Sequence, residues 1–157
     1  MKAATVHEIK QELLASSDKV LVELCLRLSK FKKENKELLT YLLFESHNEE
    51  AYVEEVKQLI SDEMDALSAG TNLYLAKKTI RKILRIANKH LRYIGSKQAE
   101  VAILIHFCYS LKNHGIPYKL SATLNNLYNQ QIKKINQSLL ALHEDLQYDF
   151  KQALEGL

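Results

Sequence analysis

Apolar residues recur at intervals of three and four along nearly the whole chain, the pattern of amphipathic α-helices. The Thr5/Glu8 pair forms a capping box that opens a predicted helix over about 6–15, and Ser17 or Asp18 opens the next. The alternating, β-branched runs typical of strands are missing from the sequence. The pattern therefore predicts an all-α fold of about six or seven helices.

The remaining capping signals continue this series. A short helix carries Leu38, Leu39, Leu42 and Leu43. Ser46-His47-Asn48 offers the cap of the next helix, which runs to about Leu67 and stops at Ser68-Ala69-Gly70. A helix over 73–94 ends at Gly95, and Ser121 opens a last helix of about thirty residues. Between them, the stretch 99–111 is apolar on nearly all sides, which predicts a helix at the centre of the fold.

Length and spacing indicate how these helices are organised. The chain has 157 residues, a size that suits one domain, and the predicted helix starts follow no constant period. We therefore expect residues 1–157 to form a single helical domain. Its architecture would be an irregular multi-helix bundle or a short stack of antiparallel helical hairpins.

Charge is distributed unevenly along the chain. Residues 1–68 carry a net charge of −5, residues 69–120 carry +9, and residues 121–157 carry −1. Most of the basic residues lie on one face of the helix at 73–94, opposite its apolar stripe. This basic face consists of Lys78, Arg81, Lys82, Arg85, Lys89 and Arg92.

Several partners fit the basic face. Clustered Lys and Arg side chains can bind the phosphates of a nucleic acid without reading its bases. Alternatively, the face pairs with the acidic helix just before it, whose carboxylates include Glu54, Glu63 and Asp65. An acidic protein partner or an anionic membrane surface would also suit it, although a membrane-lying helix usually carries more large apolar residues.

Residues capable of catalysis or metal binding do not form a recognisable motif. The chain has six histidines, none in H-E-x-x-H and none with Glu three residues before it. Cys25 and Cys108 lie in apolar helical patterns typical of free thiols, and the glycines form no phosphate loop. An enzyme would need a pocket around His106, Cys108 and His114. The sequence predicts no catalytic residue, metal site or cofactor.

The last predicted helix carries an apolar stripe with alternating spacings of four and three. Such a stripe is the seam of a coiled coil, so a homodimer through this helix is one interpretation, and packing across the chain's own earlier helices is the other. The stripe consists of Tyr128, Ile132, Ile135, Leu139, Leu142 and Leu146.

The order of features resembles an uncharacterised family of small all-helical bacterial proteins. The similar segments are Ile9-Lys10-x-x-Leu13, Lys30-Phe31-Lys32, Ala76-Lys77-Lys78-x-Ile80 and Leu142-x-x-x-Leu146-x-x-x-Phe150. The resemblance implies an all-α fold and a bacterial cytoplasmic setting, and no activity. A cytoplasmic location is also expected because the first residues lack an apolar signal, and no stretch is long enough to cross a membrane.

These observations favour a non-enzymatic helical protein-interaction module with an unidentified protein partner. The alternative is a nucleic-acid-associated protein without sequence preference that uses the basic face of the helix at 73–94.

Overall fold

A computed structural model describes residues 2–67 and 70–157. No described residue lies in a strand, which confirms the all-α prediction. A π-turn at Tyr41–Glu45 and 3-10 turns at Ser46–Asn48 and Tyr118–Leu120 join some of the helices. The α-helices are α1 (Val6–Ala15), α2 (Asp18–Phe31), α3 (Lys33–Thr40), α4 (Glu49–Asp65), α5 (Leu73–Ile94), α6 (Lys97–Asn113), α7 (Ala122–Leu139) and α8 (Glu144–Glu155).

The helices group into two compact units, Met1–Phe44 and Glu45–Leu157, where the sequence predicts one domain over 1–157. The division falls inside the π-turn Tyr41–Glu45. This segment contains no glycine or proline, the residues that most often mark a boundary in a sequence.

The first unit contains α1, α2 and α3. The capping box of α1 forms as predicted, because Thr5 Oγ1 accepts from the backbone N–H of Glu8 at 3.3 Å and Glu8 Oε2 accepts from the N–H of Thr5 at 2.7 Å. Helix α2 packs against α3, and the Asn35 side-chain amide donates to the carbonyl of Leu28 at 2.9 Å. None of the residues in these three helices is buried.

Large apolar side chains therefore face outward throughout the first unit. We call this set the first-unit apolar surface. It consists of Val6, Ile9, Leu13, Leu14, Val20, Val22, Leu24, Leu26, Leu28, Phe31, Leu42, Leu43 and Phe44.

The second unit is built around α6, as its apolar sequence predicts. This helix packs against α4, α5, α7 and α8. Its buried residues are Ala99, Val101, Ile103, Leu104, Phe107, Cys108 and Leu111. A helix that is surrounded by others needs apolar residues on most of its faces. The central position of α6 therefore explains why the stretch 99–111 is apolar on nearly all sides.

Short polar residues and one glycine set the helix ends of the second unit. Ser96 and Ser121 each accept a backbone N–H three residues later, at 3.3 Å, as N-caps. Gly95 ends α5 with a φ of 70°, a left-handed conformation that glycine adopts without steric cost. The stop predicted at Ser68-Ala69-Gly70 includes Ser68 and Ala69, which lie outside the described residues.

The prediction of one last helix of about thirty residues is wrong. The chain forms α7 and α8, separated by residues 140–143. His143 caps α8, with its Nδ1 accepting from the N–H of Asp145 at 3.4 Å, and the adjacent Glu144 and Asp145 suit a new helix N-terminus. The break contains neither glycine nor proline, and the helical spacing of apolar residues continues across it. The sequence pattern alone therefore predicts one unbroken helix.

The apolar stripe of the last predicted helix packs inside the second unit. Tyr128, Ile135 and Leu139 belong to the buried core, and Ile132 and Leu142 pack against it. The stripe thus contacts its own chain, which was one of the two interpretations. Homodimerisation through α7 stays a prediction, and these side chains are already covered in the monomer.

Candidate anion-binding face of the fifth helix

Helix α5 has two opposite faces. Its apolar face buries Ala76, Ile80, Ile83, Ala87 and Leu91 in the core of the second unit. At its start, the Asn72 side chain accepts the backbone N–H of Tyr74 at 2.7 Å and caps the helix. Because residues three or four apart share a face, this packing directs the basic residues between them away from the core.

The structure places the six residues of the basic face on one side of α5. Lys78, Arg81, Lys82, Arg85 and Arg92 are exposed, and Lys89 is half-buried. The ammonium of Lys89 lies 6.0 Å from the centre of the Tyr93 ring. Charge is thus held on the surface at successive turns of one 22-residue helix.

The acidic helix α4 neutralises little of this charge. Lys82 Nζ contacts both carboxylate oxygens of Glu63, at 2.8 and 2.9 Å. Within residues 2–67 and 70–157, Lys78, Arg81, Arg85 and Arg92 have neither a hydrogen bond nor an ion pair through their side chains. The predicted pairing of α4 with α5 is therefore realised at Lys82, and Lys78, Arg81, Arg85 and Arg92 take no part in it among the described residues.

A surface depression of about 480 Å³ lies along the first half of the basic face. It is lined by Tyr74, Lys77, Lys78, Arg81 and Arg85. The Tyr74 side chain is 72% exposed. The depression combines four cationic side chains with an accessible aromatic ring, a combination suited to an anion that carries flat groups.

The basic face predicted from the sequence did not include Tyr74 or Lys77. The signal for Tyr74 was its spacing of four and seven residues before Lys78 and Arg81, which puts it on the same helical face. Lys77 lies at the edge of that face and is half-buried. It lines the depression, and its spacing along the helix does not reveal this.

Glu100 is the centre of a polar cluster in the second unit. Its carboxylate accepts from Lys134 at 2.8 Å, from Lys97 at 2.7 Å and from Ser138 at 2.6 Å. Burial acts to raise the pKa of Glu100, but the hydrogen bonds from Lys134, Lys97 and Ser138 outweigh it and lower the pKa to about 2. The cluster joins α6 to α7, so we assign it a structural role.

The lowered pKa makes this contribution to stability dependent on pH. In the unfolded chain the Glu100 carboxyl takes up its proton near pH 4.5, and in the folded chain near pH 2. Its stabilisation is therefore complete above about pH 5 and is lost as the pH falls towards 2. We expect Glu100→Gln to lower the free energy of unfolding by about 1–2 kcal/mol at pH 7, a value reduced for solvent screening around the exposed lysines.

Chemical denaturation of wild type and Glu100→Gln at pH 7, 5 and 3 measures this effect, and the difference between them should shrink at the lowest pH. Glu54→Gln is the control, because Glu54 forms an exposed ion pair with Lys57 and should cost less than about 0.5 kcal/mol. Equal losses in the two variants would contradict a special role for Glu100.

The residues considered for catalysis have separate partners. His106 Nε2 lies 2.8 Å from Ser61 Oγ, and His114 Nε2 lies 2.9 Å from the carbonyl of Leu67. Burial and the nearby Lys57 ammonium lower the pKa of His106. Cys108 is fully buried, and burial raises the pKa of its thiol to about 12, so at neutral pH it is not a thiolate nucleophile.

The part of the chain that the structure describes has neither a metal-binding cluster nor a membrane-spanning helix. No three His, Cys, Asp or Glu side chains there are placed to hold a metal ion. No helix in residues 2–67 and 70–157 has both the length and the apolar content to span a bilayer.

Comparison with known proteins found no matching family model, curated protein or solved structure. The resemblance drawn from the sequence therefore stays a prediction.

Proposed function

We propose that this protein is a non-enzymatic module that binds the phosphate backbone of a nucleic acid through the basic face of α5. One observation carries the proposal: four cations of that face, Lys78, Arg81, Arg85 and Arg92, are exposed and have no acidic partner among the described residues. When such cations bind a phosphate backbone they release its counterions, and the entropy of the released ions favours binding. The proposal includes a cytoplasmic location.

The geometry of α5 suits a repeating anion. Residues four apart on a helix are separated by about 6 Å along its axis, so Arg81 and Arg85 present two guanidinium groups to neighbouring phosphates. Each guanidinium can donate two parallel hydrogen bonds to one phosphate. Tyr74, in the same depression, offers a ring on which an unpaired base can stack. None of these contacts reads base identity, so we expect binding without sequence preference.

Charge reversal on α5 tests the proposal. We expect Arg81→Glu/Arg85→Glu to weaken binding to single-stranded RNA and duplex DNA of about 20 nucleotides at least ~10-fold at about 50 mM salt. Fluorescence anisotropy of labelled oligonucleotides measures the affinity. Both substituted positions are exposed, so the fold should persist, as circular dichroism can verify.

The matched control is Lys133→Glu/Lys151→Glu, which changes net charge by the same amount at exposed positions on α7 and α8. Its affinity should remain within about threefold of wild type, because long-range charge alone is screened by salt. Absence of binding by wild type, or equal losses in the two variants, would reject the proposal. Binding of polyglutamate in place of nucleic acid would assign the basic face to an acidic protein instead.

A second candidate function is protein–protein interaction, and a different observation favours it. The first-unit apolar surface includes Val6, Leu14 and Phe31, each exposed over most of its side chain. So many exposed large apolar side chains on one folded unit favour an interaction site. This function would use α1 to α3 of the first unit.

A further inference from the structure

The depression on the basic face of α5 places an aromatic ring beside several cations. Tyr74 lines it together with Lys77, Lys78, Arg81 and Arg85. At 72% exposure, Tyr74 is the most exposed of the eight tyrosines of the chain. A buried aromatic ring contributes to stability, whereas an exposed one leaves its apolar faces in water. The ring of Tyr74 is therefore a surface that the fold itself does not use.

The ring of Tyr74 is accessible, and its backbone is held in place. Among the residues that the structure describes, the ring contacts no other ring or ammonium group, and its hydroxyl forms no hydrogen bond. The Asn72 side chain accepts the backbone N–H of Tyr74 at 2.7 Å. Leu73 packs against the core and Ala76 is fully buried. The first turn of α5 thus keeps the Tyr74 side chain on the exposed side of the helix, which lowers the entropic cost of using it for binding.

Tyr74 and three of the cations form a line along α5. At about 3.6 residues per turn, Tyr74, Lys78, Arg81 and Arg85 lie within about 60° of one another around the helix axis. At ~1.5 Å per residue, the cations follow Tyr74 at about 6, 10.5 and 16.5 Å along that axis. A ligand that places a flat group on the ring can therefore extend a chain of negative charges along the helix.

Stacking on an exposed ring distinguishes a single strand from a duplex. In a duplex each base is paired and stacked between its neighbours, so that its faces are covered and taking it out costs unpairing and unstacking energy. The bases of a single strand can be splayed out and stacked on an aromatic side chain. Tyr74 therefore adds to the affinity for a single strand and not to the affinity for a duplex.

We infer that the depression selects single-stranded over double-stranded nucleic acid, with an unpaired base stacked on Tyr74 and the following phosphates bound by Lys78, Arg81 and Arg85. This inference rests on the proposed binding of phosphates by α5. Phosphate contacts alone favour the duplex, because its two strands carry more charge per unit length. The order of the two affinities therefore separates stacking from charge. None of these contacts involves the sugar, so we expect single-stranded RNA and DNA to bind alike.

Fluorescence anisotropy with the full-length protein tests the inference at about 50 mM salt. The probes are labelled oligothymidylate and oligouridylate of about 12 nucleotides and duplex DNA of the same length. Wild type should bind both single strands more tightly than the duplex. Tyr74→Ala should weaken binding of the single strands at least ~5-fold and binding of the duplex less than ~2-fold. Tyr74→Phe should keep the wild-type affinities, because stacking uses the faces of the ring and not its hydroxyl.

Tyr148→Ala is the matched control for Tyr74→Ala. It removes a ring that is 65% exposed on α8 and does not line the depression, so all affinities should stay within ~2-fold of wild type. A strand of abasic sites, which has phosphates and no bases, should bind wild type and Tyr74→Ala equally. The salt dependence of binding should also be the same in these two proteins, because Tyr74→Ala removes no phosphate contact.

Three results would overturn the inference. The first is tighter binding of the duplex than of the single strands by wild type. The second is an equal effect of Tyr74→Ala and Tyr148→Ala on binding of the single strands. The third is an equal loss for single strand and duplex in Tyr74→Ala, since the substitution would then disturb α5 and not stacking. In each case a loss of binding in Arg81→Glu/Arg85→Glu would still support phosphate binding by α5, so the two failures are distinguishable. Absence of binding to every probe would overturn both.

Discussion

Raising the salt concentration from about 50 to about 200 mM should weaken binding to duplex DNA by about 100-fold. Lys78, Arg81, Arg85 and Arg92 are the exposed cations of the basic face without an acidic partner among the described residues. If each contacts one phosphate, the logarithm of the binding constant falls with the logarithm of salt with a slope of about −3.6. Lys82 is omitted because Glu63 already pairs with it.

Fluorescence anisotropy at a series of salt concentrations gives this slope. The Arg81→Glu/Arg85→Glu variant then shows whether α5 makes the phosphate contacts. Removing two of four phosphate contacts should reduce the slope to about −1.8. Lys133→Glu/Lys151→Glu should keep the wild-type slope. A slope near zero in wild type would exclude phosphate contacts, and the same slope in all three proteins would place those contacts outside α5.

Substitution of Phe107 by alanine should destabilise the second unit by about 3–5 kcal/mol. Phe107 is fully buried in α6, which packs against four other helices of that unit. Removing its ring loses apolar burial and leaves a cavity that helices held on several sides cannot close. Amide hydrogen exchange measures this loss of unfolding free energy. The slowest-exchanging amides of α6 are the ones to follow, because they exchange only when the whole unit unfolds.

Tyr109→Ala is the matched control for Phe107→Ala. It removes an aromatic ring two residues away on the same helix, but that ring is 54% exposed. In this control, the free energy of opening that amide hydrogen exchange measures for α6 should therefore change by less than about 1 kcal/mol. A similar loss in both variants would mean that the packing of α6 differs from the arrangement described.

Local sequence signals predicted much of the secondary structure. Thr5 with Glu8, and Ser121, form N-caps where expected, because a cap depends on a few neighbouring residues. Gly95 ends α5 for a similarly local reason. The break before α8 was missed, since His143 is an uncommon cap and periodicity continues across the break.

Features that depend on distant residues were less predictable. The basic face was found from spacing within α5, but which of its members pair with α4 depends on how the two helices pack. Lys82 and Glu63 are 19 residues apart, and nothing in the sequence distinguishes them from the neighbouring charges that have no such contact. The depression beside Tyr74 likewise depends on side-chain positions, which a helical pattern does not specify.

The unequal distribution of buried residues sets where the chain opens most easily to a protease. The second unit holds a packed core, whereas none of the residues in α1, α2 or α3 is buried. A segment opens at lower free-energy cost where few side chains are buried. Limited proteolysis is therefore expected to cut first within α1 to α3 and to spare the second unit for longer.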